Sequence, residues 1–111
     1  MAVREASVDT LVMARQKPWT QTPFVQEVPR LLGERGMSLR ALATAADVDP
    51  GHLSRVLRGA SYKTPSGDLA RRVAVALALP KDYFPEYREA IVLERVRHDP
   101  EIRDRLYRRM A

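Results

Sequence analysis

A four-residue break, Asp47-Val48-Asp49-Pro50, separates two short apolar stripes and constrains the chain more than any other feature. Before it, Leu39, Leu42, Ala43 and Ala46 recur at the spacing of one helix face. After it, Leu53, Val56 and Leu57 do the same. Asp49 suits an N-cap, because its carboxylate can accept the free backbone N–H groups of a first helical turn. Pro50 then takes the first helical position, where its missing N–H costs nothing. A helix therefore ends near Asp47, the chain turns sharply, and a second helix starts at Pro50.

The flanking sequence predicts more helices. Thr22-Pro23 reads as a cap followed by a first-turn proline, and the helix it starts buries Phe24, Val28, Leu31 and Leu32. Pro29 lacks a donor N–H and predicts a kink or a restart inside that helix. Gly36 ends it in the position that favours a left-handed backbone, and Ser38 caps the next helix. Residues 59–67 are rich in turn formers and predict a loop. A fourth helix starts at Thr64-Pro65 or at Ser66 and runs to about Leu79. Leu69, Val73, Ala76 and Leu77 face inward, and Pro80 stops it. Asp82-Tyr83-Phe84-Pro85 opens a helix over 86–98 with an apolar stripe of Tyr87, Ile91, Val92 and Val96. Asp99-Pro100 repeats the cap-plus-proline device and starts a last helix. There Ile102, Leu106, Tyr107 and Met110 share a face, and Arg103, Arg105, Arg108 and Arg109 cover the rest.

No alternating strand pattern occurs, so the fold class is all-α. Residues 22–80 form a four-helix core and 81–111 an appended helical hairpin. Residues 1–21 are an N-terminal arm, either a short helix carrying Leu11, Val12 and Met13 or a disordered segment.

Composition narrows the function. Hydrophobic residues make up 45% of the 111 residues but only seven are aromatic, so the core is aliphatic. The absence of Cys excludes disulfides and thiolate metal sites and fits a reducing compartment. No apolar run reaches membrane-spanning length, and Met-Ala-Val-Arg-Glu lacks a secretory apolar core, so a soluble cytoplasmic protein is expected. Nineteen Lys and Arg against fourteen acids give a net charge of +5. Lys17, Lys63 and Lys81 are the sole lysines, and arginine is the better residue for bidentate contact with phosphate or guanine. An anionic partner follows. Enzyme chemistry finds little support. His52 and His98 are far apart and lack metal-ligand partners, and there is no Gly-rich phosphate loop or nucleophile motif. Glu86, Glu89 and Glu94 lie amid arginines, as on a salt-bridged face. No catalytic residue, metal or cofactor is assigned.

Leu42-Ala43, Ala46, Val48, Leu53, Val56 and the closing Gly59 complete a recognisable pattern. Residues 24–79 resemble the helix-turn-helix domain of Cro and phage repressors, the XRE-like family with a lambda-repressor-like bundle. Ala43 is small where the two helices cross at close range. The family usually has Gly at the turn. Here it is Asp47, which tolerates a left-handed backbone better than most side chains.

The resemblance implies a transcriptional regulator of repressor-like type whose second motif helix, residues 50–58, enters the major groove of double-stranded DNA. Gly51, His52 and Arg55 then fall on the base-reading side. Arg55 suits guanine N7 and O6, with phosphate contact as its alternative, and His52 suits a base or a phosphate. Ser38, Arg40, Arg58, Ser61, Tyr62 and Lys63 become phosphate contacts, Ser38 through the free N–H groups of the helix start. The family usually binds as a two-fold homodimer, and Ile91, Val92, Leu106 and Tyr107 of the hairpin become the interface. Two other readings stand beside this one. The first is an antitoxin whose hairpin holds a partner protein, and the second is a helical adaptor without DNA binding. A DNA-binding role also implies association with the nucleoid.

Overall fold

The computed structural model describes residues 18–59 and 64–111, and every regular element among them is a helix. In chain order these are α1 (Phe24–Arg35), α2 (Leu39–Ala46), α3 (Pro50–Leu57), α4 (Gly67–Ala76), α5 (Pro85–His98) and α6 (Pro100–Met110). The apolar stripes converge on one core: Phe24, Val28 and Leu31 from α1, Leu42, Ala43 and Ala46 from α2, Leu53 from α3, and Leu69, Ala70, Val73 and Ala74 from α4. Leu77, Tyr83 and Phe84 complete it.

The predicted caps form. Ser38 Oγ accepts the Ala41 N–H at 3.0 Å, and Asp49 Oδ2 accepts that of His52 at 2.8 Å. Ser66 and Asp99 do the same for Leu69 (3.0 Å) and Ile102 (3.2 Å). Each such cap stabilises its helix by about 1 kcal/mol relative to alanine. Asp47 is left-handed at φ 57° and ψ 50°, and the N–H of Val48 returns to the Ala43 carbonyl at 2.9 Å. Gly36 is left-handed at φ 61°, and the Met37 N–H reaches back to Leu32.

Three local expectations are corrected. Thr22 does not cap α1. Its own N–H is bound to Thr20, while both carboxylate oxygens of Glu86 accept the Phe24 N–H at 3.1 and 3.2 Å. The cap comes from α5, 62 residues away, beyond any local signal. Pro29 does not restart α1, which runs through it as one element. Pro29 is exposed, so the carbonyl it leaves without a donor lies on the solvent side. Finally, α4 ends at Ala76 rather than near Leu79. Ala78 turns left-handed at φ 60°, and the Leu79 N–H folds back onto the Ala74 carbonyl. Arg35 of α1 donates to the Leu77 carbonyl at this helix end.

The core does not stop at residue 80. Phe84 is fully buried and meets Phe24 edge-on, with ring centroids 5.0 Å apart. Burying such a ring stabilises the fold by about 1.5–3 kcal/mol. The Tyr83 hydroxyl donates to the buried Glu27 carboxylate, which Arg30 holds from the other side at 2.7 and 2.9 Å. Arg88 donates to the carbonyls of Asp82, Tyr83 and Thr20, each at 2.8 Å, and lies 4.6 Å over the Trp19 ring. Where α5 crosses α4, Gly67 is so close that a Cβ there would lie 2.7 Å from the Ala90 Cβ. The first half of α5 thus belongs to the same bundle as α1–α4. The second half extends beyond it and carries α6, which packs chiefly on α5.

Candidate nucleic-acid interface

The interface is built on α3. Leu53 is fully buried and roots the helix, with Val56 and Leu57 half-buried beside it. The opposite side carries Gly51, His52, Arg55, Arg58 and Gly59, all exposed. The Asp49 cap and Pro50 at the first position hold the start of α3 in a defined geometry at the protein surface. The predicted base-reading set, Gly51, His52 and Arg55, is therefore brought together on one exposed side, with Arg58 at the helix C-cap.

Arg30, Arg71, Arg72, Arg95, Arg97 and Arg103 all have carboxylate partners. The side chains of Arg40, Arg55 and Arg58 have neither an ion pair nor a hydrogen bond among the described residues, a state they share with Arg105, Arg108 and Arg109 of α6. Unpaired guanidinium groups around a helix-turn-helix are free to meet phosphate or guanine without first breaking an internal contact. The Ser38 hydroxyl is engaged in its cap, so an anion there would meet backbone N–H groups of the first turn of α2. The remaining predicted phosphate contacts, Ser61, Tyr62 and Lys63, lie outside the described residues, as does 1–17 of the arm.

His52 lines a shallow crevice of about 260 Å³ with Asp47, Val48, Ser66, Asp68, Leu69 and Arg72. Arg72, which the sequence analysis did not single out, donates to the Asp47 carbonyl at 2.9 Å and pairs with Asp68 at 2.9 Å. It thereby ties the left-handed turn of the motif to α4. Hydrogen bonding from Arg71, followed by the charge of Arg72, holds the Asp68 carboxyl below the usual carboxylate range. The Asp68–Arg72 spacing of four is visible in the sequence as a helix pair. Its reach across 25 residues to Asp47 is not.

The predicted dimer residues are exposed: Ile91 52%, Val92 56%, Leu106 41% and Tyr107 69%. Leu93 and Met110 are exposed as well. Among the described residues no three His, Cys, Asp or Glu side chains are grouped to hold a metal ion. No helix among them is long and apolar enough to cross a membrane.

Residues 30–84 match the family model described as Helix-turn-helix, a span that begins within α1 and closes on the core residue Phe84. No curated protein and no solved structure matches the chain. With α2, the Asp47 turn and α3 as its motif, the chain belongs to the XRE family of helix-turn-helix proteins, which are DNA-binding regulators.

Proposed function

We propose that this protein is a sequence-specific, repressor-like transcriptional regulator that binds double-stranded DNA with α3 in the major groove. One observation carries the proposal: Arg55, and Arg58 at the C-cap, stand exposed and unpaired among the described residues on a helix whose other side is locked into the core by Leu53. Arg55 reads a guanine through its forked donors, with Gly51 and His52 beside it. Ser38, Arg40 and Arg58, together with Ser61, Tyr62 and Lys63 of the α3–α4 connection, engage phosphates. Two copies associate through Ile91, Val92, Leu106 and Tyr107, which places two recognition helices on one duplex at paired half-sites.

Selection of bound sequences from a random DNA pool tests this, with wild type and Arg55→Ala side by side. The wild type is expected to enrich a defined site. The variant loses preference at one position, at a cost of about 1–3 kcal/mol. A pool left unenriched by the wild type overturns the reading, and a uniform loss across all sequences makes Arg55 a phosphate contact instead. Affinity should also fall steeply with salt, log K dropping by about 0.9 per log unit of salt for each phosphate neutralised.

The exposed apolar surface of α5 and α6 also supports a second reading, in which it holds a different protein, as in an antitoxin. A partner that co-purifies with a chain that is monomeric when isolated favours that reading over the homodimer.

A further inference from the structure

Resting on the proposed base-reading role of Arg55, we infer that Gly51 is a positioning residue. Its missing side chain leaves the slot in which the Arg55 guanidinium lies, and so sets which base this protein prefers at that contact. A long helical side chain points toward the N-terminus and covers the turn before its own Cα. Arg55 follows this rule and covers Gly51, four residues earlier. A Cβ placed on Gly51 would lie 3.3 Å from Arg55 Nη1 and 3.1 Å from Asp49 Oδ2, both tighter than ordinary van der Waals contact.

These two neighbours are not equally able to yield. Asp49 Oδ2 accepts the His52 N–H at 2.8 Å and caps α3, so moving it undoes the helix start. The Arg55 guanidinium is the far end of a flexible chain with no other partner among the described residues, and it is the group that moves. Glycine is not required here by the backbone, since Gly51 is not among the positive-φ residues. The reason lies in space. The slot lets the guanidinium rest on the first turn of α3, across from the Asp49 carboxylate.

The test uses the full chain and a pair of duplexes. One carries the selected site and the other a changed base pair at the position where Arg55→Ala loses preference. Arg55→Ala is expected to lose about 5- to 150-fold discrimination between them. Gly51→Val loses most of the same discrimination, Gly51→Ala an intermediate part, and Gly51→Ala/Arg55→Ala matches Arg55→Ala alone to within about twofold. Thermal unfolding of each variant checks the fold, and Gly51→Ala carries the test alone if Gly51→Val unfolds. Full discrimination retained by Gly51→Val, or by Gly51→Ala where it stands alone, overturns the slot while leaving the base-reading role intact. Additive losses in the double variant overturn it too, because Gly51 then meets DNA independently. Discrimination kept by Arg55→Ala overturns the base-reading role and this inference with it.

Discussion

Gly67 is the position where a single methyl group tests how α5 is held. It lies in α4 without a positive φ, so on backbone grounds alone Gly67→Ala should stabilise the protein by about 0.4–1 kcal/mol through the unfolded state. The structure predicts the opposite sign. The new Cβ would sit 2.7 Å from the Ala90 Cβ and 3.9 Å from the Tyr87 Cα. Neither neighbour is the tip of a flexible side chain, so α5 must shift. Overpacking of this kind costs about 1–3 kcal/mol, leaving a net loss of about 1–2 kcal/mol and a Tm lowered by roughly 4–10 °C. Ala90→Gly alone should cost about 1 kcal/mol as a helix-interior glycine. Combined with Gly67→Ala it removes the clash, so the double variant is more stable than the sum of the single losses by about 1–3 kcal/mol. Urea unfolding of all four proteins measures that coupling, well above the 0.3–0.5 kcal/mol scatter of independent sites. A stabilised Gly67→Ala, or a coupling within that scatter, refutes the close approach of α4 and α5.

Other contacts give independent tests. Glu86→Ala removes the acceptor of the Phe24 N–H and should cost about 0.5–2 kcal/mol. Glu86→Gln, which keeps an acceptor oxygen, should cost less, and equal losses in denaturant unfolding would exclude the capping role. The Arg30 hydrogen bond, reinforced by that of Tyr83, holds the Glu27 carboxyl below its ordinary value of 4.5. Because the folded value is the lower one, the stabilisation is complete above the unfolded value and is lost as pH falls through the folded one. Wild type should therefore lose stability relative to Glu27→Gln below about pH 4.5, and parallel melting curves across that range would contradict the linkage. Val92→Asp and Leu106→Asp should each convert the proposed homodimer to a monomer in analytical ultracentrifugation with helix content unchanged. A wild type already monomeric, or variants still dimeric, would remove the hairpin from the interface.

The motif was legible because everything that defines it lies within a few residues. Ser38 reaches Ala41, Asp49 reaches His52, and the Asp47 turn closes onto Ala43 and Thr44. The spacing of Leu42, Ala46 and Leu53 marks the inward sides, and the outward positions Gly51, His52 and Arg55 follow from the same periodicity. Thr22 shows where this logic stops. It has the residue type of a cap, but the acceptor that Phe24 uses arrives from Glu86.

The sequence by itself determined the helical character of the described residues, the place and hand of the helix-turn-helix turn, and the start of the second motif helix. Helix faces, breakers and the side-chain caps of α2, α3, α4 and α6 are set by neighbours no more than four residues apart. Only the tertiary structure decided that Tyr83 and Phe84 close the core, that Gly67 and Ala90 bring α4 and α5 into contact, and that Arg72 secures the turn. It also decided that, among the described residues, Ile91, Val92 and Leu93 stay uncovered while Arg55 stays unpaired. Periodicity states which side of a helix is apolar. Which sides meet, and which polar groups find partners, depends on burial and hydrogen bonding satisfied over the whole chain at once.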